Sequence, residues 1–518
     1  MAHLLGIDVG TSSVKVVIVD ERGAVRAVAS ASYPLSRPRP LWSEQDPRDW
    51  WTGASAAIRE ATARARVRGP DIVGVGLSGQ MHGSVLLSKE ASSSGGRDAD
   101  PLRPAILWND QRTGAECARI EASAGGRRAL VEMVGNAALP GFTLPKLLWV
   151  REHEPGLFRR VAAILLPKDY LRLRLTGELA TDVGDASGLL LLDVDRRCYS
   201  DRALSLFGID PSLLPRVVES GEVTGRVTPW AASQTGLAPG TPVAAGSGDN
   251  QAGAVGAGVV RPGMVLATLG TSGVIYAPCD QPRKDLGVSG SAGRVHTMCA
   301  ADGTAGAPGR WCITGCMLSA AGSLQWCLDA LWPGETVEKL LDEAGGAPPG
   351  SGGLVFLPYM TGERCPYADP LARGGWIGLT SRHTRGHLVR AVIEGVSFGM
   401  AQVLDIQRSI GVKAESARVG GGGAKSRLWR QVLADALGVP VATTNTEEGP
   451  AFGAALLAGV GAGVWSSVAE ACDDAITEGE RLEPDAAGAE ACRPTRRVFN
   501  ALYHDLKGRF ADLAAADQ

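Results

Sequence analysis

Leu4 to Val9 is an apolar, β-branched run, Gly10 to Ser13 interrupts it, and Val14 to Asp20 resumes with alternating character, so the pattern predicts a β-hairpin. In the second half, MVLATLGTSGVIYAP from Met264 to Pro278 repeats strand, Gly-Thr-Ser turn and strand, and the chain reads as two related halves. Val73 to Leu87 and Pro104 to Asp110 are further strand candidates. The Ser/Gly-rich stretch between them, Ala91 to Asp100, is expected to be exposed, either disordered or facing a partner. Apolar residues recur at helical spacing in Trp50 to Arg66, Leu144 to Arg160 and His387 to Ile410. Phe499, Leu502, Leu506, Phe510 and Leu513 share one face of a final helix expected to pack on a domain. Helices alternating with strands give the α/β class, with a domain boundary expected between Gly246 and Gly258.

At 518 residues the chain exceeds one ordinary hydrophobic core, so two domains of roughly 250 residues are expected. Hydrophobic residues at 45% and charged residues at 21% are globular proportions, and a net charge of −3 leaves no extended basic surface for nucleic acid. The opening MAHLLGIDVG has no basic segment followed by a long apolar one, and no membrane-length apolar run occurs. The expectation is a soluble, cytoplasmic protein with no membrane or nucleic-acid partner. Ten cysteines without paired CxxC motifs read as reduced thiols. His296, Cys299, Cys312 and Cys316 have zinc-ligand types at tolerable spacing. Cys312 and Cys316 would share a helical face, yet they lie in an apolar run where small buried cysteines are ordinary.

The turn of Gly10, Thr11, Ser12 and Ser13 offers backbone N–H groups and hydroxyls with little bulk, which suits an anionic oxygen as well as it suits a plain hairpin. Its recurrence as Gly270, Thr271, Ser272 and Gly273 favours two phosphate grips, and Asp8 then stands where a phosphate-bound magnesium ion would be held through water. No GxxxxGK[ST] motif is present. The run Gly420, Gly421, Gly422 and Gly423, followed by Lys425, lies between a strand pattern and a helix pattern, a junction that admits adenosine or its phosphates. The small-residue helix of Glu447 to Gly459 is expected to pack near that site. Asp249, in GSGDNQAG beside Asn250, reads equally as a helix N-cap or as a general base for phosphoryl transfer to an alcohol. His82, after Gln80 and Met81, is either a core histidine or a partner for a sugar hydroxyl, with Met81 against the carbon skeleton.

GFTLPKLLWV (Gly141 to Val150) and GGWIGLTSRHTRGHLVRAVIEG (Gly374 to Gly395) resemble the two signature patterns of the FGGY carbohydrate kinases. LWSEQDPRDWW, GQMHG, PAILWNDQR, LLPKDYLRLRLTGE and FLPYMTGERCP are similar to members acting on D-xylulose, in order and position over nearly the whole chain. The resemblance implies two ribonuclease H-like domains of the actin and hexokinase superfamily flanking a catalytic cleft. Residues 1–248 would hold mainly sugar and residues 249–518 mainly nucleotide. It further implies ATP and magnesium, phosphorylation of a small ketose with D-xylulose first and ribulose or a sugar alcohol as alternatives, and a homodimer by family habit. Asp249 would be the base, Asp8 needed for activity, and Met81, His82, Asp249 and Asn250 would line the sugar. A non-catalytic sugar or nucleotide sensor on the same fold is the rival class. Two departures stand out: Ser247 where many relatives have glycine, and Cys365 where threonine is usual, a candidate exposed thiol.

Overall fold

A computed structural model describes residues 2–287 and 291–516. In chain order its main elements begin with β1 (His3–Val9), β2 (Ser13–Asp20), β3 (Val25–Ser32), α1 (Pro47–Ala65) and β4 (Ile72–Gly79). There follow α2 (Thr143–His153), α3 (Pro167–Thr176), β5 (Val223–Arg226), β6 (Pro242–Ala244), β7 (Ser247–Gly248) and α4 (Asp249–Gly256). The remainder comprises β8 (Gly263–Leu269), β9 (Gly273–Cys279), α5 (Arg385–Ser409), β10 (Ala414–Gly420), α6 (Arg427–Leu437), β11 (Val441–Thr444), α7 (Gly449–Gly461), β12 (Glu478–Leu482) and α8 (Ala486–Ala516). Mixed strands and helices confirm the α/β class. The chain forms two compact units, Met1–Arg261 with Cys279–Cys312 and Glu448–Thr477, and Pro262–Pro278 with Ile313–Glu447 and Glu478–Gln518. Both are discontinuous in sequence, where the sequence reading placed one cut at 248/249.

The first unit is built on a sheet in the order β5-β6-β4-β1-β2-β3, with β7 also beside β4. β1 and β2 form the expected antiparallel hairpin, while β4 runs parallel to β1. Strand alternation sends Leu5, Ile7 and Val9 into a core with Trp50, Ala54 and Ala57 of α1. Asp46 caps α1 by accepting the Arg48 amide at 2.9 Å, and Pro47 occupies its first position. The other face of β1 carries Leu4, Gly6 and Asp8, and α7 lies on it, burying Ala451, Phe452 and Ala455 with Leu4, Val17 and Val19. Contact there is backbone to sheet: a Cβ added at Gly6 would sit 1.9 Å from the Ala451 carbonyl oxygen, and one at Gly76 1.9 Å from that of Ala454. α7 meets α4 equally closely, since a Cβ at Gly453 would lie 1.8 Å from the Ala252 carbonyl oxygen. The small-residue helix expected beside the glycine run is thus part of the first sheet's packing.

The second unit repeats the theme in the order β9-β8-β10-β11-β12, with the β8–β9 hairpin antiparallel and β10 parallel to β8. α5 and α6 pack together within this unit.

Four expectations are corrected. The 144–160 helix divides into α2 and the short helix Pro155–Phe158, because Pro155 has no N–H to continue the ladder. Residues 91–100 are exposed only in part: Ser93, Gly95, Arg97, Asp98 and Asp100 face solvent, but Ala91, Gly96 and Ala99 are buried, and a Cβ at Gly96 would meet the Leu173 carbonyl oxygen at 2.2 Å. Cys312 and Cys316 lie on the strand Trp311–Met317, not on a helix. In α8 the buried stripe is Phe499, Tyr503, Phe510 and Ala514, and Leu513 faces solvent.

Gly6→Ala forces the backbone of β1 and α7 apart and is expected to lower unfolding stability by roughly 1–3 kcal/mol or more. Gly114→Ala, whose new carbon meets nothing within 4 Å, is the control and should be neutral or slightly stabilising in the same urea titration.

Candidate functional site

Register alone assembles the site of the first unit. Asp8 on β1 stands opposite Ser78 on β4, and Ser78 stands opposite Ser247 on β7. The three strands are parallel, so their carboxyl ends, Val9, Gly79 and Gly248, open side by side, the place where α/β sheets collect ligands. From those ends leave the Gly10 turn, the Gln80-Met81-His82 segment and Asp249-Asn250. Asp249 is the first residue of α4, with Gly248 as its N-cap, and its carboxylate accepts the Asn250 side-chain amide at 3.0 Å. The capping alternative is therefore not what this side chain does. Asn250 also approaches Met81 Sδ at 3.8 Å, and the missing side chain of Gly248 makes room for Met81, whose Cγ a Cβ there would meet at 2.6 Å.

Asp8 and Asp249 are each partly exposed yet packed in protein. Burial raises the Asp8 carboxyl to about 6, with Ser78 and Lys15 partly offsetting it. Burial and then the charge of Asp8 push Asp249 to about 7. The two carboxylates thus resist simultaneous ionisation.

A closed hydrogen-bond ring fixes the Gly10 turn. The Trp108 indole donates to Thr11 Oγ1 at 2.9 Å, the Thr11 hydroxyl donates to Gln80 Oε1 at 3.3 Å, and Gln80 Nε2 donates to Gln45 Oε1 at 2.9 Å. Gln45 Nε2 closes the ring on the Thr11 carbonyl at 2.6 Å, while the Trp50 indole donates to Gln45 Oε1 at 3.1 Å. Indole N–H groups only donate, so the direction of every bond is set. The Tyr33 hydroxyl donates to the Gly10 carbonyl, and the Gly10 amide donates to Ser13 at 3.0 Å. An anion at this turn would consequently be met by the Thr11 and Ser12 backbone and the Ser12 hydroxyl. Residue-by-residue reading missed Tyr33, Gln45, Trp50 and Trp108; the segments LWSEQDPRDWW and PAILWNDQR that carry three of them were the available signal.

His82 adopts a left-handed backbone, φ 69°, and is half-buried, so it is not an enclosed core residue. Its carbonyl accepts Thr143 Oγ1 at 3.1 Å and Lys146 Nζ at 2.9 Å, and its ring stands edge-on to Phe142 at 4.8 Å. Lys146 is wholly buried, donates also to the Gly141 carbonyl at 2.7 Å, and is lowered to about 7 by burial. Thr143 and Lys146 belong to the first signature segment, which thus shapes the His82 turn.

In the second unit the Gly270 turn and the glycine run come together: a Cβ at Gly421 would lie 2.6 Å from the Leu269 carbonyl oxygen and 3.0 Å from the Gly270 nitrogen. This turn is one residue shorter than its counterpart, since Leu269 pairs directly with Gly273 whereas Val9 pairs with Val14. Ala320 and Ala321 amides donate to the Thr271 and Gly270 carbonyls at 2.7 and 2.8 Å. Gly422–Lys425 form one tight helical turn between β10 and α6, and Ser426 caps α6 by accepting the Trp429 amide at 3.2 Å. Thr271, Gly421 and Gly422 are exposed and Gly423 is buried. Lys425 is exposed and pairs with Glu447 at 3.1 Å.

Among the described residues, the one His/Cys/Asp/Glu group whose ligand atoms converge is Glu116, Glu152 and His153, where Arg119 already bridges both glutamates. Among the described residues His296, Cys299, Cys312 and Cys316 do not converge, and none of the ten cysteines is in a disulfide, Cys365 being buried rather than exposed. Asp8 suits a hard cation better: its Oδ1 is buried with no hydrogen-bond partner, and Asp249 adds a second carboxylate nearby. Among the described residues no helix is long and apolar enough to cross a membrane.

The FGGY carbohydrate kinase N-terminal domain model matches residues 3–256, and the C-terminal domain model residues 265–462. The chain is 41% identical to the xylulose kinase of Escherichia coli K12 over 503 residues, covering 97% of this chain and 99% of that protein. It is 38% identical to the xylulose kinase of Bacillus subtilis over 507 residues, covering 98% of each. The crystal structure of a ligand-bound xylulose kinase from Lactobacillus acidophilus superposes with a TM-score of 0.90 at 25% identity, covering 99% of this chain and 100% of that one. The two family models between them span most of the chain and the relatives match it nearly end to end, so the chain belongs to the FGGY family of carbohydrate kinases.

Proposed function

We propose that this carbohydrate kinase transfers the γ-phosphoryl group of ATP to D-xylulose, giving D-xylulose 5-phosphate and ADP, with Asp249 as general base. The near-full-length likeness to two xylulose kinases supports the acceptor. The observation that carries the chemistry is Asp249 itself, a partly exposed carboxylate at a strand end, raised to about 7 beside Asp8. A base in that range ionises near neutral pH and still holds a proton well. Asp249 accepts the proton of the terminal hydroxyl as that oxygen bonds to the γ-phosphorus and the bond to the leaving ADP oxygen breaks in line. The Asn250 amide steadies the carboxylate, Met81 packs on the carbon skeleton, and the His82 imidazole faces a sugar hydroxyl. Phosphate oxygens are met by donors of Thr11 and Ser12 at the Gly10 turn, of Thr271 and Ser272 at the Gly270 turn, and of Gly421, Gly422, Gly423 and Lys425, where preorganised N–H groups stabilise developing charge. A magnesium ion held through water at Asp8 would neutralise phosphate charge and relieve the repulsion between the two carboxylates. Residues 1–248 take mainly the sugar and 249–518 mainly the nucleotide, and the working compartment is the cytoplasm.

The test is ADP release with magnesium-ATP against D-xylulose, D-ribulose, xylitol, glycerol and no sugar. Turnover dominated by D-xylulose is expected; preference for ribulose or a polyol would replace the acceptor and keep the kinase. Asp249→Ala should lower kcat roughly 10²–10⁴-fold with little change in ATP affinity, and a variant within about twofold of the parent removes the base role. Because the base must be ionised, kcat/KM for the ketose should fall about tenfold per pH unit below the raised value of Asp249. Stability carries the complementary sign. A folded-state value above the unfolded one means ionisation opposes folding, so the penalty is absent below the unfolded value and complete above the folded value. Asp249→Asn is therefore expected to raise Tm at about pH 8 and leave it unchanged near pH 3, a comparison read by calorimetry without any substrate.

A further inference from the structure

Behind the strand that delivers Asp249 lies a group of charges with no access to solvent. Lys168, Asp169 and Arg172 come from α3, and Asp182 ends the short strand Ala180–Asp182; none is more than 1% exposed. Lys168 Nζ lies 2.6 Å from Asp169 Oδ1 and 2.7 Å from Asp182 Oδ1, and Arg172 pairs with Asp169. The group reaches the segment before Asp249 at two points. Arg172 donates to the Ala245 carbonyl, and the Ser247 hydroxyl donates to Asp182 Oδ2 at 2.8 Å. That same Oδ2 accepts the Gly184 amide at 2.8 Å, the Asp185 amide at 3.2 Å and the Ser220 hydroxyl at 3.2 Å, so its position is over-determined. Between the two grips, Gly246 takes φ 68° with space for no side chain, its absent Cβ falling 1.8 Å from the Leu77 carbonyl oxygen. Ala245 to Gly248 is thus held from both sides and leads straight into Asp249.

We propose that Asp182 and Arg172, braced by Lys168 and Asp169, are positioning residues that fix the aim of Asp249 through Ser247 and the Ala245 carbonyl. The inference rests on the general-base reading of Asp249. A hidden ion cluster is an expensive way to gain stability, because each charge must leave water. Its geometric over-determination suits a different task, holding a reacting group to within a fraction of an ångström. The Ser247 hydroxyl adds a side-chain bond to that hold. The Asp185 carboxyl lies beside the group, 3.3 Å from Lys168, as one carboxylate more than the cations match, and burial raises it well above the usual carboxylate range; only its backbone amide takes part in the hold on Asp182.

The experiment is steady-state kinetics on Asp182→Asn, Ser247→Ala and Asp185→Asn, each with its Tm and with KM for ketose and ATP measured separately. Misaiming the base should lower kcat of Asp182→Asn roughly 10–100-fold while both KM values stay within about threefold. Ser247→Ala, losing one grip of two, should fall several-fold in kcat with the same unchanged KM values. Asp185→Asn, which keeps the backbone amide on Asp182 and whose side chain touches neither grip, should keep the parent kcat. Loss of Tm in Asp182→Asn with full turnover per folded molecule overturns the proposal, since that is a purely structural role. If Asp182→Asn does not fold, Ser247→Ala decides, and an unchanged kcat there overturns the proposal. The parent reading fails separately: a fully active Asp249→Ala removes the base, whereas an inactive Asp249→Ala beside a fully active Asp182→Asn removes only the positioning device.

Discussion

The approach of α7 to the first sheet sets the terms for everything around it. A helix can reach within backbone distance of a strand only where the strand has no side chains, and β1 and β4 meet that need with Gly6 and Gly76 on one face. Strand alternation then places Asp8 and Ser78 on that same face, one step beyond the glycines toward the strand ends. Because α7 packs as closely on α4, it also locates the helix that starts at Asp249. One small-residue helix thus fixes, through three glycine contacts, the separation of two carboxylates far apart in sequence.

That separation carries an electrostatic tension. Burial lifts both Asp8 and Asp249 above the ordinary carboxylate range, the charge of Asp8 lifts Asp249 further, and the protein keeps them adjacent by rigid supports. Around them the polar side chains are locked in a fixed direction: the ring through Thr11, Gln80 and Gln45 admits one orientation because two indoles can only donate. Preorganisation of this kind lets dipoles act on a developing charge without first having to turn.

Much of this was legible in the residues. The two Gly-Thr-Ser turns, the strand before each and the α/β class follow from short-range pattern, since a hairpin is decided by residues that neighbour each other. What the pattern does not carry is partner choice over long separations. α7 is buried on nearly every side, so its sequence has no apolar stripe to say which sheet it joins. Tyr33, Gln45, Trp50 and Trp108 are ordinary polar and aromatic residues whose role comes from three segments converging on one turn. The 91–100 stretch has the composition of a free loop, and only the surface of α3 beneath Gly96 makes it otherwise.

The discontinuity of the first unit has a consequence for how the protein comes into being. Its sheet, its hairpin and both carboxylates are synthesised in the first 261 residues, but the helix that clamps them arrives with residues 448–477. Until the ribosome has made almost nine-tenths of the 518 residues, the glycine face of the sheet is bare. A nascent chain therefore holds both carboxylates without their common wall, and residues 313–447 of the second unit are made before that helix. The packing that sets the two carboxylates is complete only when translation is nearly over, so a chain cut short of residue 448 is an unfinished scaffold.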